Sequence, residues 1–212
     1  MKLKCLPALL LTMAVPATAA GQADASAPCE IHVWPSAQLN SLTEGAVWNN
    51  VLDSAITAHG ARVTERAVPQ SALSIEEQRT HLMALNIAAL LNVPGATVTI
   101  HRDRSQRRAT GGSSGRQTAS TSQCYRELTI AKLFFSRSSM AGRTLRTLLI
   151  YDDFGTQPLP IRSFIGWAAT PLIIFPAKQS ENESAAAAEL AAAFKANFVK
   201  FTGYALAEKR RN

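Results

Sequence analysis

Three strand-like runs followed by one long Ala-rich helix dominate the second half of the chain. Together they call for a sheet with at least one helix packed on it. Residues 124–135 read as the first run. Its apolar parity changes near Lys132, from Leu128 and Ile130 to Leu133 and Phe135, which implies a bulge or a strand end at that point. Residues 144–151 form the second run and are closed by the turn-like Asp152, Asp153, Phe154 and Gly155. The third, 164–175, is apolar but carries Pro171, so it reads as one bent strand or two short ones. Ser180 and Glu183 then make a capping-box pattern. Behind it Leu190, Phe194, Phe198 and Phe201 share one helical face to about Ala207, and Lys209, Arg210 and Arg211 follow.

The first half supplies the other layer. Residues 31–34 alternate as a strand and stop at Pro35. Ser41 with Glu44 repeats the capping signature and predicts a helix with Val47, Trp48, Val51, Leu52, Ala55 and Ile56 on its apolar face, ended by Gly60. A half-exposed strand is expected over 61–68. Ser74 with Glu77 opens another helix, apolar on more than one face, which runs through Leu82, Ile87 and Leu91 to the breaker at Asn92, Val93, Pro94 and Gly95. Residues 96–100 read as a short strand. The expected fold is α/β in the sense of an α+β sandwich: a mixed or antiparallel sheet with packed helices and a long C-terminal helix. Residues 29–207 are expected to form one domain, between a flexible 21–28 segment and a basic tail, 208–212.

The N-terminus gives an address. Lys2 and Lys4 precede an apolar core from Leu6 to Val15, and Pro16, Ala17, Thr18, Ala19 and Ala20 offer small residues for cleavage. This is the anatomy of a signal peptide over 1–20 and predicts a periplasmic or secreted product. The apolar core is too short to span a bilayer, and no transmembrane segment is expected in the mature chain. Cys5 leaves with the signal. Cys29 and Cys124 remain, and in an oxidising compartment a lone pair reads as a disulfide. A lipid anchor on Cys29 is not expected, because Pro28 precedes it and a polar stretch separates it from the apolar core.

Without Lys2 and Lys4 the formal charge of +7 falls to +5. That balance suits an anionic envelope component or another envelope protein as partner, and outside the cytoplasm no nucleic acid is expected. Residues 102–123 form an Arg-, Gly- and Ser-rich loop. Arg102, Arg104, Arg107, Arg108 and Arg116 are its candidate anion-binding residues, in a segment that reads as a flexible flap tethered at Cys124.

Catalytic signals are sparse. Gly111, Gly112, Ser113, Ser114 and Gly115 match the Gly-x-Ser-x-Gly pattern of hydrolases, but without the strand and helix that make the motif work. His32, His59, His81 and His101 lack metal-ligand spacing, so no metal and no cofactor are expected. His32 and His101 sit on strands that can be neighbours. Asp152 and Asp153, being adjacent on a strand, point to opposite faces and cannot form one catalytic pair. Glu127 reads as an isolated acid, and the Trp and Tyr residues read as core. The expected function is therefore non-catalytic binding or envelope assembly. The alternative is a hydrolase whose site brings Asp153 to His32 or His101. A structural subunit is a third reading, which an exposed apolar patch along 164–175 would favour.

The run Cys29, Glu30, Ile31, His32, Val33, Trp34 and Pro35 resembles the start of uncharacterised exported bacterial proteins. Cys124, Tyr125, Glu127 and Leu128, the pair Phe134 and Phe135, and Arg162, Ser163 and Phe164 carry the same resemblance. It transfers no catalytic residue. The sheet-plus-long-helix plan is similar to small α/β domains of periplasmic envelope proteins, among them curli-secretion-type lipoproteins and the amino-terminal domain of Tol-type proteins. That similarity implies binding of other envelope components.

Overall fold

In the computed structural model, residues 28–44, 72–105, 115–138, 142–177 and 182–208 are described. The expected helix over residues 47–60, the expected strand over 61–68 and Ser180 lie outside them, as does the expected signal. The described chain forms β1 (Glu30–Trp34), β2 (Leu39–Glu44), α1 (Ile75–Met83), α2 (Ile87–Leu90), β3 (Thr97–Ile100), β4 (Tyr125–Ser138), β5 (Gly142–Gly155), β6 (Arg162–Leu172) and α3 (Glu183–Glu208). The six strands make one mixed sheet in the order β3-β1-β4-β5-β6, with β2 also paired to β4. The fold is α+β, as expected.

β1 runs parallel to both β3 and β4, with Glu30 opposite Thr97 and Tyr125. Cys29 and Cys124 are disulfide-bonded immediately before these strands, with Cα atoms 4.6 Å apart. The bridge sets two parallel strands side by side at their first residues.

β2 corrects one expectation. Ser41 and Glu44 do not open a helix; both lie in a strand parallel to the far half of β4, with Leu39 opposite Leu133. β1 covers β4 only as far as Thr129, and the main chain beyond that point takes β2 as its partner. Pairing of this kind outweighs a local capping preference, which is weak by comparison. The gap between β1 and β2 is closed by the buried Gln78. Its side chain accepts from Ser36 N at 2.8 Å and donates to Ser36 O at 3.0 Å and Leu73 O at 2.7 Å. The amide thus serves the backbone groups that a strand would otherwise satisfy.

The capping box at Ser74 and Glu77 is formed. The single helix expected from there to Leu91 is instead two, with Asn86 capping the second through Ala89 N at 3.1 Å. Leu82 and Ile87 would lie about 140° apart on a straight helix, and the break lets both enter the core. β4 has one of its two register shifts between Ile130 and Lys132, where the parity change predicts it; the other is between Tyr125 and Arg126. β5 does not end at Tyr151 but continues through Asp152 and Asp153 to Gly155, whose φ of +51° ends the strand. β6 passes straight through Pro171, which an edge strand tolerates because one side of its backbone has no ladder to break.

α3 packs on β5 and β6, on the face that carries Ile31, Val33, Leu128, Leu149 and Tyr151, and buries Leu190, Phe194, Phe198 and Phe201 there, while α1 and α2 pack beside β3. Polar contacts fix its position: Asn197 donates to Leu145 O at 2.9 Å, and Glu189 accepts from Ile173 N, Ile174 N and Phe175 N at 2.7–2.8 Å. No helix among the described residues is long and apolar enough to cross a membrane.

Candidate functional site

Side chains alternate along a strand, so the residues between the core positions of β1 and β4 emerge together on the opposite face. There the pairing sets His32 beside Glu127 and Glu30 beside Tyr125. His101 follows β3, with its N–H bonded to Val33 O at 2.9 Å. His32 Nδ1 and His101 Nε2 are 2.9 Å apart, a contact that holds one proton between two rings. Trp34 stacks on His101 with centroids 4.2 Å apart and planes 2° from parallel. His32 Nε2 stands 3.4 Å from Glu30 Oε2.

Residues 115–122 close over this cluster. Glu127, 1% exposed, accepts from Gln117 N at 2.6 Å, Gln117 Nε2 at 3.1 Å and the Tyr125 hydroxyl at 2.9 Å. Thr118 Oγ1 bonds the same hydroxyl and lies 3.4 Å from His32 Nδ1. Ser120 Oγ donates to Glu30 Oε2 at 2.6 Å. That bond is the main reason the Glu30 carboxyl sits below its ordinary range, helped by His32 and opposed by burial. Burial, then the charge of His32, holds His101 below the usual histidine value, against the opposing pull of Glu127 and Asp103. Burial pushes the Tyr125 phenol well above its ordinary value, so it is a donor at any physiological pH.

Of the five candidate arginines, the three that are described differ in setting. Arg116 turns inward. It donates to Ser120 O at 2.8 Å, Gly155 O at 2.9 Å and Gln157 O at 3.1 Å, and its guanidinium lies 4.7 Å from the centre of the Tyr125 ring. Arg102 and Arg104 are exposed after β3, and Arg104 lines an open polar cleft of about 640 Å³ with Ser36, Gln38, Asn40 and Thr129. Arg107 and Arg108 lie outside the described residues, as do Gly111, Gly112, Ser113 and Ser114. The tethered-flap expectation thus meets a closely bonded segment at 115–122.

Asp153 does not join His32 or His101. It projects from the helix-covered face, where Arg126 Nε is 3.4 Å from its Oδ2; Asp152, one residue earlier, shares the histidine face opposite Glu127. Of the acids, Glu30 reaches His32 at 3.4 Å and Glu127 lies opposite His32 in register. Glu127 reads as isolated only while β1 and β4 are taken separately. Aligned from the two cysteines, they place Glu30, His32, Tyr125 and Glu127 on one face. Tyr151 joins the apolar core, Tyr125 is buried in the polar cluster and Tyr204 is exposed; Trp48 lies outside the described residues. No group of three or more His, Cys, Asp or Glu among the described residues is placed to hold a metal ion.

No protein-family model and no curated protein matches the chain. Among solved structures, the crystal structure of a DUF330-family protein from Xanthomonas campestris is similar over 88% of each chain, with 11% sequence identity and a TM-score of 0.42.

Proposed function

We propose that the chain is an exported envelope protein that works by binding another envelope protein, without catalysis of its own. In this reading residues 1–20 direct export, 29–207 act as one domain and 208–212 form a basic tail. The Cys29–Cys124 disulfide is compatible with an oxidising compartment.

The observation that carries the reading is β6. It pairs with β5 on one side, and among the described residues no strand pairs with its other side. Between Arg162 and Leu172 it has no charged residue, although free edges are ordinarily guarded by charge. Ile161, Ile165, Ile173 and Ile174 are exposed on it or just beyond its ends, an apolar patch along 164–175 that fits a structural subunit as well as a binding protein. Lys200 Nζ takes Ala169 O at 2.8 Å, which leaves Ser163 to Ala168 as the accessible stretch. A strand with alternating apolar side chains, added from a partner protein, is the occupant that such an edge fits.

The histidine cluster supports the non-catalytic part. His32 Nδ1 is engaged by His101 at 2.9 Å. The hydroxyl nearest to it, on Thr118, is 3.4 Å away and is bonded to Tyr125. Both ring nitrogens of His32 thus face partners inside the protein, Nδ1 toward His101 and Nε2 toward Glu30.

The test is affinity capture from the organism's own envelope fraction with the mature chain and with an Ile165→Lys, Ile173→Lys double variant. A partner held by the native chain in high salt and lost with the variant is the expected result. A partner that both retain, or one released by salt and by Arg102→Ala with Arg104→Ala, would overturn docking at β6 and move binding to the arginine segment.

A further inference from the structure

Where the helix-covered face ends, beside the last turns of α3, β4 and β5 border a second cavity, of about 160 Å³. Asn92, Arg126, Tyr151, Asp153 and Arg162 supply its charged and polar wall; Leu91 and Leu206 supply its apolar one. We propose that this cavity binds a small monocarboxylate.

The charge balance points there first. Two guanidiniums face one carboxylate, so the cavity carries one positive charge in excess. Arg126 is only 15% exposed. It gives one hydrogen bond, to Leu91 O at 3.1 Å, and its buried Nε makes none among the described residues, standing 3.4 Å from Asp153 Oδ2. Arg162 donates to Ala205 O and lies 5.9 Å from the centre of the Tyr151 ring. A guanidinium has five N–H donors in a planar fork, so each arginine keeps donors to spare. A partly buried cation without full compensation is costly, and a carboxylate matches the fork in charge and shape.

Asp153 does not fill that role for both arginines. Its oxygens already accept from Gly155 N at 3.1 Å and the Tyr151 hydroxyl at 3.3 Å. Tyr151 stays protonated because burial, then the charge of Asp153, raises its phenol; no second anion arises within the wall. A monoanion brings the count of charges to zero, whereas a phosphate dianion overshoots it. Leu91 and Leu206 give a short alkyl group somewhere to lie, which inorganic phosphate cannot use.

The experiment is calorimetric titration of the mature chain near pH 7 with sodium acetate, sodium butyrate and inorganic phosphate at matched ionic strength. Acetate should bind saturably, and butyrate about tenfold more tightly for its two added methylenes. Arg162→Gln should weaken both at least tenfold, and Arg102→Gln with Arg104→Gln, which lie outside the cavity, should change neither. Leu206→Trp provides the control for folding, since it fills the apolar wall with both arginines in place and should abolish butyrate binding. The proposal is overturned by the absence of saturable binding of either acid, by undiminished binding in Arg162→Gln or Leu206→Trp, or by phosphate binding more tightly than butyrate.

Discussion

On one face of the sheet, α3 packs Phe194, Phe198 and Phe201 against β5 and β6, in one apolar cluster with Ile31, Leu128, Leu149 and Tyr151, and contact among apolar side chains excludes water. On the other face, one residue further along the same strands, His32, Glu127 and Tyr125 lie under residues 115–122, held by hydrogen bonds. The two faces are buried by different forces. Apolar burial is non-directional and tolerates shifts of a few tenths of an ångström. The polar cluster is held by bonds that need fixed partners, each worth about 1 kcal/mol net but costing more when one partner is stranded. The comparison therefore predicts that the helical face carries most of the global stability, and that the polar face sets the position of one segment.

Phe198 offers the largest test. It is 1% exposed in the centre of α3, and Phe198→Ala should cost about 3–5 kcal/mol in denaturant unfolding. A loss below about 1 kcal/mol would break the comparison at its stronger side. Glu127 tests the other side. Glu127→Gln keeps the shape but removes the charge and places an amide donor among the donors Gln117 N, Gln117 Nε2 and Tyr125 OH. The expected cost is about 1–3 kcal/mol, together with faster hydrogen exchange at Gln117 and little change at amides in the middle of α3. Uniformly faster exchange across both faces would mean that they are not separable.

The sequence disclosed the helical face more readily because periodicity reports burial. The run from Leu190 to Phe201 and the parity change at Lys132 are both local patterns, and both correspond to what is found. β2 was illegible because Ser41 and Glu44 match a capping box, and the segment becomes a strand only through its neighbour. The break at Ala84 to Asn86 was hidden by an apolar content that satisfies a single helix as well as two. The candidate site was half legible: His32 beside His101 follows from strands that neighbour one another, whereas Glu127 depends on register. The disulfide holds that register information, since Cys29 and Cys124 start adjacent parallel strands. Asp152 and Asp153 do point to opposite faces, but they do so inside β5 and not in a turn.

The smallest expected effect separates the faces by pH. His101 on the polar face and His81 on α1 both have values held below the ordinary one, each chiefly by burial. For His101 the charge of His32 adds to this while Glu127 and Asp103 oppose it; for His81 it is Lys195 that adds and Glu77 that opposes. The fold thus prefers both rings neutral, and the unfolded chain takes up their protons first, from about pH 6.5 downward. Stability from each is complete above that pH and is lost as pH falls toward the folded-state value. Glu30, whose carboxyl is lowered chiefly by the Ser120 hydroxyl, loses its contribution only in the more acidic carboxylate range, so the histidine window stands apart. Between pH 7.5 and 5, His101→Gln should flatten the acid-induced rise in exchange at the Gln117 amide, because the added amide can still bond His32 without titrating. His81→Gln should leave that rise intact and reduce only the pH slope of global unfolding. If His81→Gln flattened the Gln117 response as much as His101→Gln, protonation would be felt through the whole sheet, and the two faces would have to be treated as one cooperative unit.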